Sequence, residues 1–577
     1  MICSRWALKK LPTNQPASLL DQIEEAKRRF GTGHHKKIEQ LLTRLTGQRF
    51  KDAPSLIRFH EVLLFLRAYP QSARILQTVE NELSSFSQRV NALEKAGADL
   101  GTLNEPEVSG IGGTSVTDTF SYYIVRWLVK RHATQISFYW DWFENENRLA
   151  ATWPRFMPLL EEDAQVEANV PYLEWLRNAK GRSNSVAWLI GRFESLPLDD
   201  RKRAELYDSL QLYVRWTPSF RATRTEIKLP VRKIFYHRRP LIERRDISLS
   251  DELQAPPPAL KKLSVRQGEA ILNLARETST IRYRELYGFT HGDAARVFKA
   301  GLGRGVDLFV TSVPAGRRLP LRAYHAAMIF KNGVPVGYFE GLSLFERIES
   351  GFNLYYTFRD GETAWLYART LNVFRHLLGV TTFTLDPYQI GHENEEGIES
   401  GAFWFYRKLG FRPARPELLR LTLAEEKKIA ARSSHRTSKS VLRRLAAGPM
   451  IFALDKSNVG DWDRFQIRNI GLAVQRRMAN EFNGDAQSMR SESVRRIART
   501  LGLRISDWRQ VELATLEDFA VVLWLIDDLG RWTTVEKQRL AEIIRAKARS
   551  EESRYLKLMQ KHPRLRAEMI RLGSIHK

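Results

Sequence analysis

Apolar positions recur with one period in the first half of the chain and another in its centre. Leu19, Ile23 and Ala26 fall three and four residues apart, and Ile38, Leu41, Leu42 and Leu45 resume the spacing after Gly31-Thr32-Gly33. That period predicts amphipathic helices broken at the glycines, and Val79 to Leu93 predicts another. Helical text dominates to about Gln254, where Pro256-Pro257-Pro258 follows. Three prolines in a row give an extended segment without backbone donors, so a domain boundary is expected there.

Beyond the prolines the pattern shortens. Leu263 to Ala275 and Gly292 to Leu302 read as helices, but Val306 to Val313, Tyr324 to Phe330 and Val334 to Phe339 are strand-like runs. Lys331-Asn332-Gly333 joins the last two, and Asn-Gly predicts a hairpin because both residues tolerate positive φ. Asn353 to Phe358 predicts a further strand, Thr363 to Leu378 a helix with Tyr367, Leu371, Phe374 and Leu378 on one face, and Val380 to Leu385 a strand. Strand, helix, strand at this length is a βαβ-like unit within a mixed sheet. From Leu423 onward the text is helical and rich in arginine. The expected fold class is mixed α/β in the centre, flanked by mainly α-helical regions, with divisions at 1–254, 255–424 and 425–577.

Charge adds to this picture. The 577 residues hold 91 Lys and Arg against 66 Asp and Glu, a net charge of +25. Such a surplus attracts polyanions, which here means nucleic acid, an anionic membrane face or a phosphate-bearing molecule such as coenzyme A. A hydrophobic fraction of 43% rules out a disordered chain. The apolar run Phe519 to Ile526 is far shorter than the roughly 20 residues a spanning helix needs, so no membrane span is expected. The opening residues have no apolar stretch of the secretory kind. Cys3 is the single cysteine, which excludes an intramolecular disulfide and a thiolate zinc cluster; a cytoplasmic protein without a metal site is expected.

Several stretches carry possible chemistry. Ser109 to Asp118 is glycine-rich but lacks the Lys-Ser/Thr ending of a phosphate-binding loop, and reads as a loop between helices. Phe138 to Asn147 sets Asp141, Glu144 and Glu146 beside large aromatics and reads as a packed edge with solvated acids. Val231 to Arg245 interleaves aromatics with arginine, a pattern able to touch a phosphate backbone. Ser493 to Leu503, with Arg495, Arg496 and Arg499 before Gly502, has the look of a helix-turn-helix start.

The most informative text is Ser400 to Pro413, SGAFWFYRKLGFRP, a short helix stopped by Gly410 before a strand entry at Phe411. Phe405-Tyr406-Arg407-Lys408-Leu409-Gly410-Phe411 resembles the carboxy-terminal signature of the GNAT N-acetyltransferase superfamily. The order of hairpin, strand, long helix, strand and short helix agrees with that resemblance from about Gly301 to Thr422. It implies a sheet that opens between the strands on either side of the long helix, and a turn before that helix whose backbone amides hold the pyrophosphate of acetyl-CoA or another acyl-CoA. The corresponding residues are Arg359, Asp360, Gly361, Glu362, Thr363 and Ala364; Glu362 stands where the family has glycine, and two acids enter the turn.

The resemblance further implies that Tyr406 protonates the thiolate leaving group, and that a glutamate on the central strands is the base, which points to Glu340 and Glu346, with Glu349 nearby. Asn394, in the long polar connection that also holds His392, Glu393, Glu395 and Glu396, is the expected counterpart of the family's CoA-contacting asparagine. The expected function is acyl-CoA-dependent transfer of an acyl group, acetyl above all, to an amine-bearing acceptor. The alternative is a GNAT-derived scaffold without catalysis that binds nucleic acid or a protein through its basic flanks.

Overall fold

Strand-forming runs assemble into two sheets in the computed structural model, which describes residues 16–31, 33–157, 171–432, 434–549 and 551–574. Cys3 lies outside the described residues. The smaller sheet holds Val116–Asp118 (β1), Ile136–Phe138 (β2) and Val214–Trp216 (β3), with β3 in the middle. It sits inside the region whose spacing predicts helices throughout. Each strand is three residues long, too short for a period of two to stand out from the helical text around it.

The larger sheet has nine strands: Leu260–Lys262 (β4), Phe298–Gly303 (β5), Val306–Ser312 (β6), Ala323–Lys331 (β7), Val334–Leu344 (β8), Arg347–Leu354 (β9), Thr382–Leu385 (β10), Arg412–Pro413 (β11) and Met450–Ala453 (β12). Their order is β11-β12-β10-β9-β8-β7-β6-β5-β4. All neighbours are antiparallel except β9 and β10, which run parallel and are joined by the Thr363–Leu378 helix. The protein is therefore mixed α/β.

Four expected elements differ. Gly292 to Leu302 is a short turn followed by β5, because Gly303-Arg304-Gly305, all at positive φ, folds the segment back on β6 as a hairpin. Val79 to Leu93 is two helices, Ala73–Ser84 and Phe86–Lys95, separated at Ser85. The strand expected over Asn353 to Phe358 is the end of β9; the chain turns at Phe345 (φ 53°), so β9 begins at Arg347, and residues 356–358 form a single 3-10 turn. After Leu423 the regular elements of the described residues are helices apart from β12.

The Lys331-Asn332-Gly333 hairpin forms as its sequence requires, with Asn332 and Gly333 at φ 48° and 82°. Asn332 is buried and bonds Ala68 and Phe235, so the hairpin tip is embedded in the amino-terminal region. A Cβ at Gly333 would lie 2.3 Å from the Leu229 carbonyl, so glycine is required for this close approach as well as for its φ.

Buried apolar residues form two clusters. One runs from Leu19 to Leu572 and contains the large sheet, the first five helices and the carboxy-terminal helices. It crosses both expected divisions, at 254/255 and at 424/425; Leu253 just before the prolines is fully buried in it. The second cluster surrounds the small sheet, with Trp153 and Trp216 at its centre. The first three helices and the sheet thus share one interior, and this sharing brings amino-terminal residues to the site described next.

Candidate functional site

β9 and β10 pair through Arg347–Thr382, Ile348–Phe383 and Glu349–Thr384. β9 continues to Leu354, so its last five residues have no strand partner on that side. A cavity of about 580 Å³ occupies the opening. Its walls are the freed edge of β9 (Phe352, Asn353, Leu354), the start of the Thr363–Leu378 helix (Gly361, Thr363, Ala364) and the Ala402–Arg407 helix through Phe405 and Tyr406. The strap Pro240 to Arg244 and Arg28, two residues past the first helix (Pro16–Ala26), cover it.

The helix start is bare. No side chain caps it, and Thr363 turns its hydroxyl back to the Arg359 carbonyl at 3.0 Å. Unpaired N–H groups at a helix amino end carry partial positive charge and favour an anion. The two acids of the preceding turn are already engaged. Glu362 is 1% exposed and bonds Arg304, Lys331 (3.2 Å) and the Ile242 amide (3.2 Å) beneath the turn. Burial lowers Lys331 to about 8 even though Glu362 holds it up. Asp360, at the rim, is paired with Arg28 at 2.9 Å and Lys27 at 3.5 Å. Arg359 joins Glu396 across the cavity and donates to the Leu354 carbonyl at 3.2 Å. Gly361 is fixed by packing: a Cβ there would lie 2.3 Å from the Tyr69 hydroxyl.

At the opposite end the Gln389 amide donates to the Phe352 carbonyl (2.9 Å) and to the Tyr406 hydroxyl (3.1 Å). It therefore spans the opening between the strands. Tyr406 is buried, and that burial raises its phenol above the ordinary range and keeps it protonated. Tyr367 of the long helix packs edge-on against the Tyr406 ring at 5.4 Å and hydrogen-bonds Ser350 at 2.9 Å.

The candidate glutamates separate. Glu340 of β8 does not itself line the cavity; it lies opposite Gly351 in register, next to the wall residue Phe352, and is bonded by the Tyr324 hydroxyl, and burial raises its carboxyl. Glu346 does not line the cavity. It sits at the paired end of β9 and binds Trp462 Nε1 (2.7 Å) and Arg566 Nε (2.8 Å), anchoring the last helix. Glu349 is paired with Arg347 and Arg322. Asn394 lines the cavity, but its side chain accepts from Gly397 N and donates to the Tyr388 carbonyl, capping the Glu395–Glu399 helix. His392 and Glu393 are exposed, and Glu395 pairs with Lys439 and Arg443.

Gln389, Asn353, Arg28 and the 240–244 strap escape a reading of the sequence. The strap alone carries a signal, since it ends the basic run Val231 to Arg245. The other stretches are used in packing. The glycine-rich loop is tied to Thr225 through Gly112 and to Arg224 through Gly110, leaving no cradle. Asp141, Glu144 and Glu146 are solvated. Helices Ala486–Leu501 and Gln510–Leu523 flank Gly502, with Arg495 paired to Glu492 and Arg496 over Trp524.

No protein family, curated protein or solved structure matches the chain. Among the described residues no helix is long and apolar enough to cross a membrane, and no group of three or more His, Cys, Asp or Glu side chains is placed to hold a metal.

Proposed function

We propose that the chain is an acyl-CoA-dependent N-acyltransferase of the GNAT type, transferring an acetyl group to an amine. The observation that carries this reading is the opening between parallel β9 and β10, with a bare helix start at one end and a buried, protonated tyrosine at the other. Arg28 lines the cavity at the helix-start end, where a pyrophosphate would meet free amides, and Arg244 lines it beside the Lys408 carbonyl. The extended, amide-bearing pantetheine arm would lie along the edge of β9 beyond its pairing with β10, where the Phe352 and Leu354 carbonyls already accept from Gln389 and Arg359. The thioester then reaches Gln389 and Tyr406.

The amine nitrogen attacks the thioester carbonyl, the C–N bond forms and the C–S bond breaks. The departing thiolate takes the Tyr406 proton, and the amine gives its own proton to a base, for which Glu340 is the best placed of the candidate acids. The acids of the turn do not oppose pyrophosphate, because Glu362 is paired beneath the helix start and Asp360 is held by Arg28 and Lys27.

Acetyl-CoA titration followed by thermal unfolding tests the reading, with Thr363→Glu as the decisive variant. An acid at the first helical position stabilises the helix through its dipole, yet it fills the anion position. The wild-type protein is expected to gain stability in proportion to the logarithm of acetyl-CoA concentration above Kd, by roughly 2.7 kcal/mol at a hundredfold excess. Thr363→Glu is expected to keep its own melting temperature and lose that gain. Absence of a shift at millimolar acetyl-CoA overturns the reading, and salt-sensitive retention of DNA or RNA would then favour the scaffold alternative.

A further inference from the structure

Beside the face of β8 and β9 that carries Glu340, three arginines gather. Residues on one side of a strand alternate, so Tyr338 and Glu340 of β8 share this face with Gly351 and Asn353, their register partners on β9. Asn353 also lines the cavity. Arg284, half-buried, donates to the Tyr338 hydroxyl at 3.1 Å and enters no ion pair among the described residues. Beside it Arg282 is 4% exposed, with its guanidinium 4.2 Å over the Tyr355 ring. Arg282 donates to the Thr278 carbonyl, while its Nε and the Tyr355 hydroxyl have no hydrogen-bond partner among the described residues.

Arg224 completes this group, and Glu61 is the carboxylate that it holds, at 2.9 Å. Among the described residues, the acids near these three guanidinium groups are Glu61, bound to Arg224, and Glu396, whose charge favours that of Arg284 and which is itself paired with Arg359. Burial, together with the charges of Arg224 and Arg284, lowers Arg282 to about 9. A buried surplus of this kind is costly unless an anion completes it.

Glu340 supplies the opposite charge two residues along the same strand, about 7 Å from Tyr338. Gly351, the register partner of Glu340, adds no side chain to the space in front of the pair, and a Cβ there would lie 3.8 Å from the Glu340 carbonyl and 3.9 Å from Gln389 Oε1. Gln389 in turn holds Tyr406, so this space adjoins the end of the cavity assigned to the thioester.

We infer that the acceptor is an amine that also bears a carboxylate, an amino-acid-type substrate whose amine faces Glu340 and whose carboxylate is held by Arg284. This rests on the acyltransferase reading and adds the chemical class of the acceptor. The ammonium gives one proton to Glu340 and the free amine attacks; the second proton, shed by the nitrogen as the C–S bond breaks, replaces the one that Tyr406 gives to the thiolate. The products are the N-acyl amino acid and CoA thiol, the latter protonated by Tyr406. Arg284 acts by binding, through a two-point contact with the carboxylate.

The test measures CoA thiol release by the full-length protein with acetyl-CoA and a panel of L-amino acids, each beside its carboxamide and its decarboxylated amine. At least one amino acid is expected to exceed both counterparts by tenfold or more in kcat/KM. Arg284→Gln is expected to raise KM for that amino acid ten- to a hundredfold and to erase its advantage over the carboxamide, with acetyl-CoA affinity and melting temperature unchanged. Arg284→Lys, which keeps the charge, is expected to restore part of the preference. Equal rates for acids and carboxamides, turnover confined to amines without a carboxylate, no turnover with any panel member, or a preference that survives Arg284→Gln would each overturn the inference. Saturable acetyl-CoA binding in those cases leaves the acyl-donor reading standing; its absence removes both.

Discussion

The two ends of β9 put similar residue types to different uses. At its start the strand pairs with β10, and the acids there are consumed by structure: Glu346 by Trp462 and Arg566, Glu349 by Arg347 and Arg322. At its finish the partner strand is gone. The neighbouring groups Gln389, Tyr406, Asn353 and the bare helix start face a cavity instead. Residue type alone does not separate a structural acid from a chemical one. Backbone pairing does, because a closed sheet is followed by packing that demands complete charge pairing, whereas an opened sheet leaves polar groups for a ligand.

The most severe way to break this comparison is to disturb the closed end. Glu346→Ala removes a buried carboxylate that binds an arginine and an indole, and is expected to cost about 3 kcal/mol, measured by urea unfolding. Arg566 keeps its contact with Asp461, which moderates the loss. Acetyl-CoA affinity of the folded fraction should be unchanged. A large fall in affinity without a loss of stability would place Glu346 in the chemistry and undo the contrast.

At the open end the order reverses. Tyr406→Phe is expected to lower kcat about a hundredfold, roughly 2.7 kcal/mol in the barrier, with the Kd for acetyl-CoA unaltered. The ring packing against Tyr367 and Phe411 is retained in the variant. An unchanged kcat would assign Tyr406 to packing alone.

The support beneath the open end gives a pH-dependent test. His237 is buried against Tyr69, Phe30 and Phe235, and Tyr69 in turn fixes Gly361. Burial, with Lys331 and Arg304 nearby, lowers His237 to about 2 from an unfolded value of 6.5. Between those values the unfolded chain binds the proton and the folded one does not, so stability falls as pH drops below 6.5. The loss at pH 5 amounts to about 2 kcal/mol from this residue. His237→Phe should flatten the decline in melting temperature between pH 7 and pH 5. An unaltered slope would mean that His237 is protonated in the folded protein.

The sequence reading succeeds where local rules govern. Asn332-Gly333 fixes a hairpin by φ alone, and Thr363 to Leu378 announces a helix because its apolar face packs on a sheet, Phe374 stacking on Phe339 at 4.5 Å. It fails where long-range packing decides. Nothing near Glu362 in the chain marks Arg304 or Lys331 as its partners, so the acid reads as an obstacle to pyrophosphate. Gln389 lies in a turn of ordinary composition, and its role depends on β9 separating from β10, which register alone decides. Nor does anything local to Leu19 or Leu253 indicate that they share the interior of the sheet.

Asn394 offers the smallest effect and a direct measure of how far family resemblance can be carried onto single residues. Its side chain is occupied by Gly397 N at 3.2 Å and the Tyr388 carbonyl at 2.9 Å, so it serves the start of a five-residue helix at the cavity wall. Asn394→Ala should cost about 1 kcal/mol, the ordinary cost of a lost amino-terminal cap. Asn394→Asp, which keeps the acceptor for the Gly397 amide, should recover most of that stability. If the side chain acts as a cap, acetyl-CoA affinity in Asn394→Ala should change less than twofold. A tenfold loss of affinity in the alanine variant at unchanged stability would instead make Asn394 a ligand contact. The open end of β9 would then extend to the Asn394 turn, and the contrast with the closed end would widen.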